Sequence, residues 1–270
     1  VSTQGVDYSF SRPSPGAIHA AGYRFVIRYL DGGAKGISHG EATALASAGL
    51  WIASVYEGPA TWMLGGADAG QAAARTALKL GRDAGMPAGR PVYLGCDFDA
   101  QPGQIPAVLD CLRGAASVLG KDATGVYGGL AVVTAALGKG VCKWAFQTLA
   151  WSGGKWHPGA QIRQTAINKS VGNQAVDLDE AVTADFGQWR PGEGPVAAVS
   201  EQNWTSDGKT SLTALCGRHP GWTPAGIIRR TANHDGKFEP DVATWLNAVF
   251  EGRIPATLPV PAGAVLRVPA

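Results

Sequence analysis

The sequence predicts an α/β chain: a TIM-like β/α barrel with reduced late helices, followed by a small C-terminal α+β domain. Three observations carry this. Short β-branched runs alternate with alanine-rich helical runs through residues 1–190, and the helical runs fade after the fifth strand. A Pro/Gly/Ala stretch, "GQWRPGEGPVAAVSEQ" (187–202), then separates this region from a tail of different pattern.

The elements follow in order. "GVDYS" (5–9) is a short strand, and "SPGAIHAAG" after it a helix. "RFVIRYL" (24–30) is the second strand, followed by the helix "SHGEATALASAG". "WIASVYEG" (51–58) is the third, and the alanines and leucines of "ADAGQAAARTALKLGRDAG" suit a long helix. "PVYLGCDFD" (91–99) is the fourth strand, before the helix "IPAVLDCLRGAASVLG". "ATGVYGG" (123–129) is the fifth, with the short helix "LAVVTAALG". "KWAFQTLAWS", "AQIRQTA" and "QAVDLDEA" read as three more strands joined by loops.

Eight strands with helices after the first five predict a parallel barrel over residues 1–189. A doubly wound open sheet is the alternative. It would keep its helices to the end, and no glycine-rich dinucleotide fingerprint follows the first strand. Residues 190–202 read as linker and 203–270 as a second domain. There "TSLTALCGRHPGWTPAGIIRRTA" suggests two short helices, the second capped by Thr223 with Pro224 at its first position. "EPDVATWLNAVFEG" suggests another helix and "PVPAGAVLRVPA" a closing strand.

Composition narrows the function classes. At 45% hydrophobic and 16% charged, the 270 residues can bury a sizeable core. The formal net charge is +2, with 7 basic and 7 acidic residues after Arg190, so no region reads as a nucleic-acid binder. No apolar run is long enough for membrane insertion. "VSTQGVDYSF" lacks the pattern of a signal peptide, so any export depends on something the sequence does not display. The four cysteines, Cys96, Cys111, Cys142 and Cys216, show no CxxC pair and read mainly as buried thiols, with no disulfide assigned.

In a β/α barrel, ligands bind at the C-terminal strand ends. Sorting acids by that rule gives Asp7 in the first strand, Glu57 at the end of the third, Asp97 and Asp99 at the end of the fourth, and Asp177 and Asp179 in the eighth. On an extended strand, Asp97 and Asp99 share one face with Cα atoms roughly 6.5 Å apart. Such a pair can bracket one glycosidic bond, with one acid kept protonated and one ionised. The competing readings are an ordinary strand lip that caps the next helix, and an oxygen-rich divalent-metal site, although no complete metal-loop motif is present. We expect no metal and no cofactor.

Aromatic residues favour a sugar ligand, because indole faces pack on the apolar faces of sugar rings. Trp62 follows the third strand, and Trp151 and Trp156 flank the loop after the sixth; they serve equally well as plain rim covers. Tyr29, Tyr127, Gln147 and Gln164, at or near the ends of the second, fifth, sixth and seventh strands, complete the substrate-binding candidates. Two motifs are discounted. "GISHG" (36–40) matches the GxSxG elbow, but Ser38 and Glu41 form S-x-x-E at a helix start, a capping box. The histidines His19, His39, His157, His219 and His234 show no ligand spacing.

"GVDYS", "VYLGCDFD", "GVYGG", "WAFQTLAW" and "AVDLDEA", in that order, resemble the glycoside-hydrolase-like barrels of the DUF1906 type, distant relatives of the family 25 lysozymes (N-acetylmuramidases). The resemblance spans about residues 4–190. It implies cleavage of the β-1,4 bond between N-acetylmuramic acid and N-acetylglucosamine. Asp7 matches the first-strand aspartate, Asp97 the first acid of the family's D-x-E, and Asp177 the eighth-strand aspartate. Asp99 stands where the family has its proton-donating glutamate, one methylene shorter. On this basis Asp99 is expected as general acid and Asp97 as base or stabiliser. Asp7 and Asp177 would orient them, with Glu57 a reserve acid.

The tail faintly resembles a LysM module: "DGKTSLTALCGRHPGWTPAGIIRRTAN" is similar to its opening, and "PVPAGAVLRVP" to its closing strand, around a longer middle. Together the halves imply a peptidoglycan-directed, extracellular or virion-associated protein of the phage-lysin or tail type. The rival expectation is a catalytically inactive wall-glycan binder, or a structural component partnered with phage tail or envelope proteins.

Overall fold

The structure, a computed structural model, describes residues 2–192, 201–205, 208–211, 213, 214, 260 and 265–269. The chain divides into two compact units, Val1–Val196 and Ala197–Ala270.

In the first unit, eight strands close into a barrel in sequence order: β1 (Thr3–Asp7), β2 (Phe25–Tyr29), β3 (Trp51–Tyr56), β4 (Val92–Gly95), β5 (Thr124–Gly128), β6 (Trp144–Gln147), β7 (Ile162–Val171) and β8 (Gln174–Ala181). Helices α1 (Pro15–Ala20), α2 (His39–Ser47), α3 (Gly66–Ala84), α4 (Ile105–Leu119) and α5 (Leu130–Gly138) follow the first five strands. Strand parity sorts the core. Phe25, Ile27, Ala53, Val55, Tyr93, Phe146 and Ile162 fill the barrel. Val6, Val26, Ile52, Leu94 and Val126 form the layer under the helices. Both layers are apolar because strands between helices and a filled barrel are buried on both faces.

The floor is built by the chain after β8. Tyr93 donates its hydroxyl to the Phe186 carbonyl at 2.8 Å, and the Phe186 ring lies 4.7 Å from that of Phe25. Trp189 is fully buried and bridges Ile52 by both backbone groups, while its indole donates to Ser54 Oγ at 2.9 Å.

Two expectations are corrected. The all-parallel arrangement fails at β8, which runs antiparallel to both β7 and β1. The cause is a two-residue turn, Gly172–Asn173, with φ of 56° and 61°, joining Val171 to Gln174. Positive φ at both positions defines the type I′ hairpin turn, which reverses the chain at once. Second, β4 ends at Gly95, so Asp97 and Asp99 lie in the following loop and strand alternation no longer puts them on one face.

Ser38 caps α2, accepting from the Glu41 amide at 3.1 Å. The Glu41 carboxylate does not complete the capping box. It accepts instead from Arg28 Nε at 2.7 Å, from the Tyr8 hydroxyl at 3.2 Å, and from Arg12. Arg28 is fully buried outside the barrel, and its guanidinium also reaches the Lys35 carbonyl at 3.0 Å. Helices α3 and α4 meet on glycines. A Cβ on Gly70 would lie 1.9 Å from the Cys111 carbonyl oxygen, and one on Gly114 would lie 2.0 Å from that of Ala67. Cys96, Cys111 and Cys142 are free and buried.

In the second unit, β9 (Glu201–Thr205) pairs antiparallel with β10 (Val265–Pro269), so Glu201 faces Pro269 and Thr205 faces Val265. Most of the expected helical segments of 210–232 and 239–252, including Thr223, Pro224 and Cys216, lie outside the described residues.

Candidate active site

At the C-terminal end of the parallel strands, Asp7, Ile27, Tyr29, Val55, Glu57, Tyr127, Phe146 and Gln164 line a pocket with about 250 Å³ of empty space, part of it open to solvent. Asp7, Tyr29, Val55, Glu57, Tyr127 and Phe146 come from the C-terminal ends of their strands or just beyond, Ile27 lies mid-strand beneath them, and Gln164 comes from the early part of β7. Aromatic and aliphatic walls with a few convergent polar groups suit a small polar ligand with an apolar face.

One hydrogen-bond chain organises the wall between β6 and β1. Thr148, just after β6, donates its hydroxyl to Gln164 Oε1 at 2.9 Å and accepts from the Ala150 amide. That orients the Gln164 amide, whose Nε2 donates to Asp7 Oδ2 at 2.8 Å and to Asp177 Oδ2 at 3.3 Å. The other oxygen of Asp177 accepts from the Asn168 amide at 2.8 Å, which fixes the irregular mouth-side half of β7. Burial pushes the Asp7 carboxyl up to about 7; the Gln164 bond opposes this and the Asp177 charge adds to it.

The opposite wall is a second acidic group with a cation. Lys35 Nζ lies 3.3 Å from Glu57 Oε2 and 4.7 Å from the Tyr29 ring centroid. Burial raises the Glu57 carboxyl above its ordinary value; Lys35 opposes that and Asp97 reinforces it. Burial likewise raises Asp97, again opposed by Lys35. Asp97 also acts electrostatically on Tyr29 and Tyr127, as does Asp7. Asp97 itself is exposed and is not among the residues that line the pocket.

The first unit is a match to the model of the Rv2525c-like, glycoside hydrolase-like domain over residues 16–183. The chain belongs to this family. The Mycobacterium tuberculosis protein named "Putative peptidoglycan hydrolase Rv2525c" is 34% identical over 200 residues, covering 68% of this chain and 82% of its own. The crystal structure of the Tat-secreted protein Rv2525c from M. tuberculosis, in complex with L-tartrate, superposes with a TM-score of 0.66 at 33% identity, covering 69% of this chain and 98% of that one. A likeness of fold alone extends to the modular autolysin LytC from Streptococcus pneumoniae in complex with a synthetic peptidoglycan ligand. It has a TM-score of 0.52 at 12% identity and covers 66% of this chain and 46% of LytC.

In this Rv2525c-like barrel, Asp7, Glu57, Tyr29, Tyr127 and Gln164 surround the pocket directly. Asp177 joins through Gln164, and Asp97 through Glu57 and the tyrosines. Four other residues expected in the site stand elsewhere. Asp99 is exposed and does not line the pocket; only its backbone carbonyl is engaged, by Gln101. Gln147 is fully buried, and its amide braces the β6–β7 loop through Ser152, Lys155 and His157. Parity requires this, since Phe146 takes the inward place on β6. Trp62 packs edge-on against Tyr56 and donates its indole N–H to the Gly95 carbonyl at 2.8 Å, a buttress behind the mouth. Trp151 is a surface residue, 40% exposed, with φ of 56°, seated against Gly129.

Lys35, Thr148 and Phe146 are site residues that sequence reasoning missed. Only Phe146 had a signal, its alternation with Trp144 along β6. Among the described residues no group of three or more His, Cys, Asp or Glu is arranged to hold a metal ion.

Proposed function

We propose that this chain is a peptidoglycan-directed glycoside hydrolase of the muramidase type, cleaving the β-1,4 bond between N-acetylmuramic acid and N-acetylglucosamine. The observation that carries the reading is Glu57, pushed towards protonation, in one pocket with Asp7 and two tyrosines, with Asp97, itself exposed, acting on Glu57 electrostatically. Glycoside hydrolysis needs one carboxyl that keeps its proton and a second that is ionised. A buried carboxyl raised further by a neighbouring carboxylate supplies that division, the first keeping its proton and the second its charge.

The pocket favours Glu57 over Asp99 as the proton donor. Glu57 lines the pocket, and its side chain reaches further than an aspartate would; Asp99 does not line it. Asp97 then carries the negative charge that stabilises the oxocarbenium-like centre or the oxazolinium-like intermediate formed by a substrate acetamido group. Asp7, held by Gln164, faces the same ring from the opposite wall. Lys35 keeps Glu57 and Asp97 from both being protonated near neutrality. Tyr29, Tyr127 and Phe146 supply apolar faces for the sugar.

The name of the M. tuberculosis relative supports a wall substrate, and its Tat secretion supports export of this chain as well. The tail's likeness to LysM supports residues 203–270 as a wall-binding domain joined through 190–202, and residues 1–189 as the hydrolase-like barrel.

Release of reducing ends from purified peptidoglycan tests the reading, with wild type compared against Glu57→Gln, Asp97→Asn and Asp99→Asn. Glu57→Gln and Asp97→Asn should lose about 10²-fold or more, and Asp99→Asn should stay near wild type. Loss confined to Asp99→Asn would return the acid role to that residue. Sedimentation of wild type on several wall types without any reducing ends would leave the rival reading, an inactive glycan-binding or tail and envelope component.

A further inference from the structure

Below the pocket lies a carboxyl that the proposed chemistry does not use. Because β8 is antiparallel, Asp177 is opposite Asp7 and Asp179 is opposite Gly5, two residues deeper into the barrel. Asp177 and Asp179 share a face. Asp179 is 0% exposed, and neither of its carboxyl oxygens receives a hydrogen bond from any N–H or O–H group. The nearby amide of Gln164 is already committed to Asp7, Asp177 and Thr148.

The groups that interact with Asp179 come from three places. Asp7 on β1 and Asp177 on its own strand act on it as like charges, and its own charge acts on Tyr127 of β5. Tyr29 on β2 faces Asp7. Arg28 also acts on Asp7, but it lies outside the sheet with its N–H groups on Glu41, Tyr8 and Lys35. No cation enters this layer among the described residues. An unpaired buried carboxylate is too costly to persist and takes up a proton instead. Two facing carboxylates cannot hydrogen-bond unless one of them is protonated.

We propose that Asp179 is a positioning residue that keeps its proton and donates it to Asp7, so that one shared proton locks Asp7 in its pocket-facing orientation. Asp179 is the holder because it is the deeper group and has no other donor, whereas Asp7 already receives the Gln164 N–H. Asp7 thus accepts two hydrogen bonds, one from each side, and can stay ionised towards the ligand. The electrostatics agree: burial raises Asp179 well above the usual range and Asp7 less, while the bond from Asp179 lowers Asp7. The inference gives Asp7 a ligand to face only through the proposed function, but the proton count does not depend on turnover.

The test is a ¹³Cγ-aspartate NMR titration of the full chain from pH 4 to 9, with Asp7→Asn and Asp179→Asn used to assign the two signals. The Asp179 signal should remain at its protonated position at pH 7, and Asp7 should titrate near 7. In Asp179→Asn a neutral amide replaces the neutral acid as donor, so the Asp7 midpoint should stay near wild type, whereas Asp179→Val removes the donor and should raise that midpoint by about one pH unit or more. A merely structural Asp179 would cost stability without moving that midpoint. An ionised Asp179 signal at pH 6, or an Asp7 midpoint unmoved in Asp179→Val, overturns the proposal. If either Asp179 variant does not fold, the wild-type titration alone decides the proton count. Hydrolysis is a separate measurement, so failure of one reading does not mimic failure of the other.

Discussion

Asp179→Asn should make the barrel more stable at neutral pH, the opposite of the usual result for a buried polar substitution. An unfolded aspartate ionises near pH 3.9. In the folded barrel Asp179 holds its proton well above that value because it is fully buried beside Asp7. The folded state therefore binds one more proton than the unfolded state as pH rises, and stability must fall. The stabilisation linked to that proton is complete below about pH 3.9 and is lost progressively as pH rises towards the folded-state pKa.

Each pH unit above 3.9 over which Asp179 keeps its proton in the folded state costs about 1.4 kcal/mol. Asp7, raised to about 7, adds a loss of the same sign. Asparagine keeps the volume, donates to Asp7 and does not titrate. Wild type and variant should be about equal near pH 4 and diverge with a slope of up to about 1.4 kcal/mol per pH unit above it, with the variant ahead. Native-state hydrogen exchange at the most protected amides of β2 and β3 reads the first unit alone and is the suitable assay. A stability difference that stays constant from pH 4 to 7.5 would refute the reasoning, as would a wild type that gains on the variant with rising pH.

Lys35→Met removes the charge that lowers both Glu57 and Asp97, so both carboxyls should rise further, and the alkaline limb of reducing-end release should move to higher pH. Glu41→Gln leaves the fully buried Arg28 without its counter-charge and should destabilise the fold by about 3–5 kcal/mol in denaturant titrations. Gly114→Ala would gain about 1 kcal/mol from helix propensity alone. The new Cβ would meet the Ala67 carbonyl at 2.0 Å, so thermal melts should instead show a net loss of about 1–3 kcal/mol.

The order of strands and helices was legible because each element carries its own period, and even the capping role of Ser38 stood in the sequence. What failed was tertiary or a matter of parity. "CDFD" continues the alternation of β4, yet the chain leaves the strand at Gly95, and no local signal marks that exit. Gln147 was placed on the wrong side by ignoring that Trp144 and Phe146 already fill the inward positions of β6. The Gly172–Asn173 turn was readable as a hairpin signal and would have reversed β8 in advance. Lys35 had no signal at all: its loop has no period, and its place depends on Arg28 and Glu41, which meet only in three dimensions.

The reversal of β8 bears on function more than any other of these differences. In a parallel eighth strand, Asp179 would lie nearer the mouth than Asp177 and would join the exposed acids. Antiparallel pairing inverts the order, leaving Asp177 at the level of Asp7 and sealing Asp179 beneath it. Two aspartates two residues apart thus meet opposite environments, one sharing an amide with Asp7 at the mouth and one without any N–H donor. The same spacing after β4 gives two exposed acids, of which Asp97 acts on Glu57 and Asp99 does not. In both pairs, backbone direction and strand length decide which carboxyl can take part in acid–base chemistry, and the D-x-D spacing by itself does not.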